Sequence, residues 1–238
     1  MVCALSLTMN KRYKRNITVI GEDGQQALAS SSVFVIGCGA LGGQLAMLLA
    51  GAGVGKIGIA DFDTIDITNL QRQLFFSETE AGERKADVIA RRMRALNSEI
   101  EVVAIGEMIR NSNADTILRD YDLIVDATDN PATKYFVDEV AHRLAKPCCI
   151  GGVAGWRGQV MTISADPTGM RYVDVFPAPD ADPSMLPCEI EGVMGPAAST
   201  VASLQAAEVL KMLTAPASGP NRLIAIDLSV PAFNVLTL

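Results

Sequence analysis

An α/β fold is predicted for this 238-residue chain by three observations. Short apolar runs alternate with longer segments of helical spacing, the pattern of βαβ units and a parallel sheet. A glycine-rich turn stands between the first such run and the first long apolar helix, the context of a dinucleotide-binding fingerprint. The last two apolar runs close the chain as strands, without a helix between them. The expected architecture is therefore a Rossmann-like, doubly wound, mainly parallel sheet with antiparallel strands added at the C-terminal side. An N-terminal arm and helix over residues 1–32 would precede a single domain over 33–238, interrupted by a Pro-rich, cysteine-bearing loop at 166–193.

Val33 to Asp63 is the stretch from which the rest is read. Val33-Phe34-Val35-Ile36 is short and apolar enough for a buried strand, and Gly37-Cys38-Gly39-Ala40-Leu41-Gly42 follows it. The next segment is too long for a strand and rich in Ala, Leu and Met, so it reads as a helix. Beyond Gly53-Val54-Gly55, a run from Ile57 to Ala60 ends on Asp61. Glycines allow backbone N–H groups to approach a phosphate, and a helix N-terminus supplies partial positive charge there. Asp61 falls where an acid accepts hydrogen bonds from a ribose. This predicts nucleotide binding without naming the nucleotide. Upstream, Arg12 and Arg15 read as solvated surface, and a helix is expected to start at Asp23–Leu28.

The loop after Asp61 brings Asp63, Asn69, Gln71, Arg72 and Gln73 close together in sequence, just past the carboxyl end of a strand. Ligands of open parallel sheets bind at such ends. Arg72 has a fixed fork of donors suited to a phosphate; a polar surface loop is the other reading, and the neighbouring glycine turn weakens it. Glu83 to Asn97 has helical spacing, with Ala86, Ile89, Ala90, Met93 and Leu96 on one stripe. Lys85 in its first turn gains nothing from the helix dipole, which favours anions there. A phosphate partner would resolve that conflict, and a solvated lysine is the alternative. Arg91, Arg92 and Arg94 are expected on the outer face.

Ile100–Ile105 reads as a strand, Ala114–Arg119 as a short helix and Asp122–Asp126 as a buried strand leading into Thr128-Asp129-Asn130. Asp129 suits Mg²⁺, a hard cation shared between carboxylate and phosphate oxygens. It equally suits the N-cap of the helix from Pro131 to Leu144, and both roles hold if Asn130 is the cap. His142, the single histidine, has no partner motif and reads as structural, which leaves Ser-His-Asp and Cys-His catalysis without an evident base. Pro147–Gly152 is a further strand with Cys148 and Cys149 as small core residues. Gly155–Ile163 turns into an added strand, and the irregular stretch from Asp166 to Val193 holds Cys188. That cysteine is either an exposed nucleophile or a bystander thiol whose pKa nearby glutamates raise. Gly195-Pro196 is expected to open a final helix over Ala197–Leu213, then strands follow at Arg222–Leu228 and Ala232–Leu238.

Composition bounds the function. Hydrophobic residues make up 49% of the chain, ample for a core. A net charge of −7 argues against a nucleic-acid partner held by a basic field. No run approaches the roughly 20 apolar residues of a membrane span. The opening Met1–Thr8 lacks the basic region and cleavage site of a leader, and Met9 is a second candidate start. Five cysteines form neither a C-x-x-C pair nor a disulfide framework, so a reduced, cytoplasmic protein is expected.

These motifs, in this order and spacing, resemble the MoeB/ThiF/HesA family, relatives of the ubiquitin-activating enzymes. The pieces are Arg12-Tyr13-x-Arg15, Asp23-Gly24-Gln25-Gln26, Gly37-x-Gly39-x-x-Gly42, Asp61-x-Asp63, Asn69 to Gln73, Lys85, Thr128-Asp129-Asn130, Gly158-Gln159, and Cys188 with Gly192 to Pro196. The resemblance implies that ATP activates the C-terminal Gly-Gly carboxylate of a small ubiquitin-like sulfur carrier, similar to ThiS or MoaD, as an acyl-adenylate. It implies nucleotide contacts from Gly37, Gly39, Ala40, Gly42, Asp61, Asp63, Asn69, Arg72, Gln73, Lys85, Asp129 and Asn130, with Asp61 on the ribose and Asp129 on Mg²⁺. It further implies catalytic roles for Arg72, Lys85 and Asp129. Arg15 is similar to an arginine that reaches into a partner subunit's site, which implies a homodimer. Cys188 matches a loop cysteine that in some relatives bonds covalently to the carrier and in others is dispensable. Two departures stand out. The paired C-x-x-C of zinc-bearing members are missing, so no zinc is expected. A rhodanese-like extension is missing too, so sulfur would come from a separate donor such as a cysteine desulfurase.

Overall fold

Val33 and Val35 of the first strand pack into one apolar cluster, while Phe34 and Ile36 pack into another. Alternation along a strand with both faces buried requires cover on both sides of the sheet. The computed structural model describes residues 11–177, 192–215 and 221–238 and shows that cover. Its elements are α1 (Lys14–Ser30), β1 (Ser32–Ile36), α2 (Gly42–Ala52), β2 (Lys56–Ala60), α3 (Lys85–Leu96), β3 (Glu101–Ile105), α4 (Ala114–Leu118) and β4 (Leu123–Asp126). There follow α5 (Pro131–Arg143), β5 (Cys148–Ala154), β6 (Arg157–Ile163), α6 (Tyr172–Val175), α7 (Gly195–Thr214), β7 (Arg222–Asp227) and β8 (Ala232–Thr237). One face is covered by α1, α2, α3 and α7, the other by α4, α5 and α6.

The described strands form one sheet in the order β3-β2-β1-β4-β5-β6-β7-β8. β3, β2, β1, β4 and β5 run parallel, and β6, β7 and β8 pair antiparallel, as the sequence predicts. Strand order reverses between β1 and β4, which makes the crevice above their carboxyl ends the topological switch point. Ile36 is in register with both Ala60 and Asp126, so the loops leaving β1, β2 and β4 depart at one level.

Several local expectations are corrected. α1 begins at Lys14 rather than near Asp23, because Gly21 at φ 73° joins two helical pieces through a break that only glycine adopts cheaply. Tyr13, just before it, is buried and accepts a hydrogen bond from Asn97 Nδ2 at 2.7 Å, which anchors the arm to the end of α3. Arg12 adds a bond from Nη1 to Leu96 O and is thus more than solvated surface. Leu96 is 43% exposed and lies off the buried stripe of α3. α7 opens at Gly195-Pro196 as the sequence suggests and ends at Thr214, one residue beyond the expected Leu213. Asn130 caps α5, accepting from Ala132 N at 2.8 Å, which releases Asp129 from that duty. Cys38, Cys148 and Cys149 are buried, and burial pushes their thiols well above the ordinary range. Cys188 lies outside the described residues.

Candidate active site

The glycine turn is shaped by contacts that a side chain would block. Gly37 has φ 94°, and a Cβ there would meet the Ala127 carbonyl at 3.0 Å. A Cβ on Gly42 would sit 1.8 Å from Gly37 O, so the turn closes on itself before α2 begins. The Asp61 carboxylate spans the next junction. Its Oδ2 accepts from Cys38 N at 2.7 Å and its Oδ1 from Asp63 N at 2.8 Å. Desolvation raises its pKa, against the pull of those two amides and of Lys85. Among the described residues, two of its four lone-pair positions remain unused.

Lys85 opens α3 and is buried, with Nζ 3.0 Å from Asp63 Oδ2. The dipole conflict seen in the sequence is therefore met by a carboxylate, and the solvated alternative is excluded. Lys85 N also donates to Asp63 O, so the loop leaving β2 is tied to the helix start twice. Between these ties runs a short 3-10 turn, Ile67–Asn69, with Asp66 as its cap. Asp66 Oδ1 accepts from Thr68 N and Oγ1, and Asn69 Oδ1 accepts from Asp66 N. Arg72, half-buried, gives Nη1 to Thr68 O at 3.3 Å, and the rest of its fork has no hydrogen-bond partner among the described residues. Gln73 is 4% exposed, and its Oε1 has no partner among the described residues. A Cβ placed on Gly39 would meet Gln73 Nε2 at 3.5 Å, so this amide stands directly against the glycine turn. A buried, unpaired carbonyl oxygen is costly unless something completes it.

Opposite, the turn after β4 packs Ala127 O and the Thr128 methyl against Gly37. Asp129 is exposed and engages no described partner. Arg15 is exposed in the first turn of α1. His142, exposed near the end of α5, belongs to the opposite helical layer.

Sequence reasoning missed the group beneath this turn. Asp126 is fully buried and pairs with Lys134 at 2.8 Å. A signal existed, since Lys134 shares a helical stripe with Val137, Asp138 and Ala141, which face the sheet side of α5. Asp138 was missed likewise. It is buried and takes Arg171 Nε and Nη2 at 3.1 and 2.9 Å.

A mostly parallel sheet with a glycine turn at its switch point defines a Rossmann-like α/β protein. Comparison supplies the family: the ThiF family model matches residues 13–237, and the chain belongs to that family. It is 37% identical over 206 residues to the adenylyltransferase and sulfurtransferase MOCS3 of Dictyostelium discoideum, covering 86% of this chain and 48% of that protein. It is 36% identical over 242 residues to the adenylyltransferase and sulfurtransferase uba4 of Aspergillus fumigatus, covering 96% and 49%. The chain thus spans about half the length of the curated relatives it matches. Among solved structures, E. coli MccB superposes with a TM-score of 0.83 at 26% identity, over 96% of this chain and 69% of that one. MccB has also been solved with ATP, and that structure has a TM-score of 0.80.

Proposed function

We propose that the protein is an adenylyltransferase that uses ATP to activate the C-terminal Gly-Gly carboxylate of a small ubiquitin-like sulfur carrier. Pyrophosphate is released, and the acyl-adenylate serves sulfur transfer in cofactor biosynthesis. The observation that carries the reading is a buried cation, Lys85, close enough to the glycine turn to act on Asp61 and Cys38, while the loop that sets Gln73 against that turn also carries the half-buried Arg72. Hydride transfer from a nicotinamide builds no new charge on its diphosphate. Attack on an α-phosphate does, because negative charge grows on the departing pyrophosphate.

Asp61 holds the glycine turn through Cys38 N and offers its remaining lone pairs to the ribose. Gly37, Gly39, Ala40 and Gly42 let the backbone approach the nucleotide. Asn69, Arg72, Gln73 and Lys85 take the triphosphate side, Gln73 through its Nε2 donors because phosphate oxygens only accept, and its unpaired Oε1 is left for a donor such as water or a ribose hydroxyl. The attacking group is a carboxylate, which carries its own charge and needs no general base; a histidine at the site is therefore unnecessary. Asp129 and Asn130 begin α5, and the free Asp129 carboxylate fits Mg²⁺ held by one acid together with phosphate oxygens and water. No cluster of three or more His, Cys, Asp or Glu suited to a metal occurs among the described residues. When bound, the cation would neutralise phosphate charge.

Arg15, exposed at the start of α1, serves the ATP site of a second copy in a homodimer, and a separate protein such as a cysteine desulfurase supplies sulfur. Among the described residues no helix is long and apolar enough to cross a membrane. A second acceptor, the C-terminus of another peptide, draws support from the likeness to MccB, solved in complex with MccA. The test is ATP–pyrophosphate exchange with candidate carriers. Exchange that requires a Gly-Gly terminus supports the carrier reading. Exchange with a different peptide moves the assignment to the second acceptor, and thermal stabilisation by NAD but not by Mg-ATP refutes both.

A further inference from the structure

Lys134 Nζ donates to Asp126 Oδ2 at 2.8 Å, to Thr128 O at 2.9 Å and to Gly151 O at 2.5 Å. An ammonium has three protons, so its donors are spent, and its side chain is only 9% exposed. It has nothing left to give a ligand. The same Asp126 uses Oδ1 to accept from Thr128 N at 3.2 Å and Thr128 Oγ1 at 2.7 Å. Its carbonyl takes Gln205 Nε2 from α7 at 2.9 Å. Desolvation offsets much of the attraction in a buried ion pair, so stability alone is a weak reason for this one.

The contacts converge on one turn. Thr128 is gripped at its amide, its hydroxyl and its carbonyl by Asp126 and Lys134. On one side Ala127 O abuts Gly37; on the other, Asn130 is fixed by its cap to Ala132 N. Between them, only the Asp129 side chain has no partner among the described residues and so can face a ligand. We propose that Lys134 is a positioning residue, joining β4, β5 and α5 so that the Ala127–Asn130 turn presents Asp129 toward the glycine turn for a nucleotide-bound divalent cation. The proposal rests on the adenylylation reading of Asp129, and its test separates the two.

Lys134→Met alone strands a buried carboxylate, so the informative variant is Asp126→Asn with Lys134→Met, which removes both charges and keeps similar volumes. Three quantities are read on the full chain: thermal midpoint, amide hydrogen exchange over 128–130, and the Mg²⁺ concentration that half-saturates Mg-ATP binding in calorimetry. The double variant is expected to fold, to exchange faster in that turn, and to need about 10- to 100-fold more Mg²⁺, the usual cost of losing a group that orients a metal ligand. A merely structural role would lower the midpoint and leave the Mg²⁺ requirement alone. A folded double variant with unchanged exchange and unchanged Mg²⁺ requirement overturns the proposal, as does a double variant that cannot fold. Asp129→Asn is run alongside. If it leaves the Mg²⁺ requirement untouched, the reading of Asp129 fails, and the exchange data still decide whether Lys134 holds the turn.

Discussion

Lys85 Nζ lies 3.0 Å from Asp63 Oδ2, with the lysine side chain 8% exposed and the aspartate 50%. The cation is thus stored against a carboxylate at the water boundary, able to keep its charge without a bound anion. Because Asp63 is half exposed, Asp63→Asn is expected to cost about 1 kcal/mol of stability or less. Lys85→Ala removes a charge from the proposed phosphate side and should lower kcat/KM in pyrophosphate exchange by about 10²-fold or more. Equal losses in the two variants would show that the pair acts on folding rather than on phosphate.

The glycines of the turn separate folding from binding. Gly42→Ala places a methyl 1.8 Å from the Gly37 carbonyl oxygen, a backbone atom that cannot swing aside, and 3.2 Å from the Ala127 Cβ, and should prevent a native fold at ordinary temperature. Gly39→Ala meets only Gln73 Nε2 at 3.5 Å, an ordinary contact. It should fold normally and raise the Kd for ATP, because the methyl fills the space before the turn. Thermal melts with and without ATP check both outcomes.

Acid should loosen the 3-10 turn that precedes Arg72. The Thr68 hydroxyl and then the Thr68 amide hold the Asp66 carboxyl below its ordinary value. A lowered folded-state pKa gives stabilisation that is full above the unfolded value, about 3.9, and lost as pH falls through the folded one. Stability measured from pH 6 downward should therefore fall in this window, and Asp66→Ala should flatten part of that fall. Asp115, Asp166 and Asp227 are lowered by similar contacts, so the variant removes a share of the acid loss and leaves a remainder.

What sequence could and could not reveal follows from the range of each interaction. β1, the glycine turn and Asp61 were legible because strand, turn and acid adjoin in the chain and each has its own pattern. The antiparallel pairs β5–β6 and β7–β8 were legible from strands without an intervening helix, whereas β6 and β7 pair antiparallel across α6 and α7. Asn130 as the cap of α5 could be offered only as one of two assignments, since Asp and Asn serve equally before Pro; the hydrogen bond to Ala132 N decides it. Lys85 showed a local conflict, but its resolution by Asp63 spans the whole loop between β2 and α3. The Tyr13–Asn97 bond joins residues 84 apart, and periodicity carries no such information. The helical register of Lys134 pointed inward, yet only the fold shows that Asp126, Thr128 and Gly151 converge on it.

Arg92 should control nucleotide affinity from outside the site. It was expected on the outer face of α3, yet its Nε donates to Phe75 O at 2.5 Å and its Nη2 to Glu80 Oε2 at 2.6 Å. Phe75 lies two residues beyond Gln73, and its ring edge sits over Gly43 of α2, so this carbonyl is a fixed point for the end of the Asn69–Gln73 segment. Glu80 is held in turn by Ser77 N and Oγ and by Arg91. Its carboxyl is pushed up by desolvation but pulled below its ordinary value by Ser77 and the arginines. Arg92→Ala removes both contacts at once and should destabilise the protein by about 1–3 kcal/mol, the range for hydrogen bonds to a charged group. The KM for ATP should rise with little change in kcat, because Arg92 touches the loop and not the phosphates. Glu80→Gln keeps the bond to Phe75 and should lower stability while leaving that KM near wild type. Arg92→Lys keeps the charge without the two-pronged geometry and should resemble Arg92→Ala in KM. If instead the lysine restores KM fully, charge near the loop, not the grip on Phe75, is what matters.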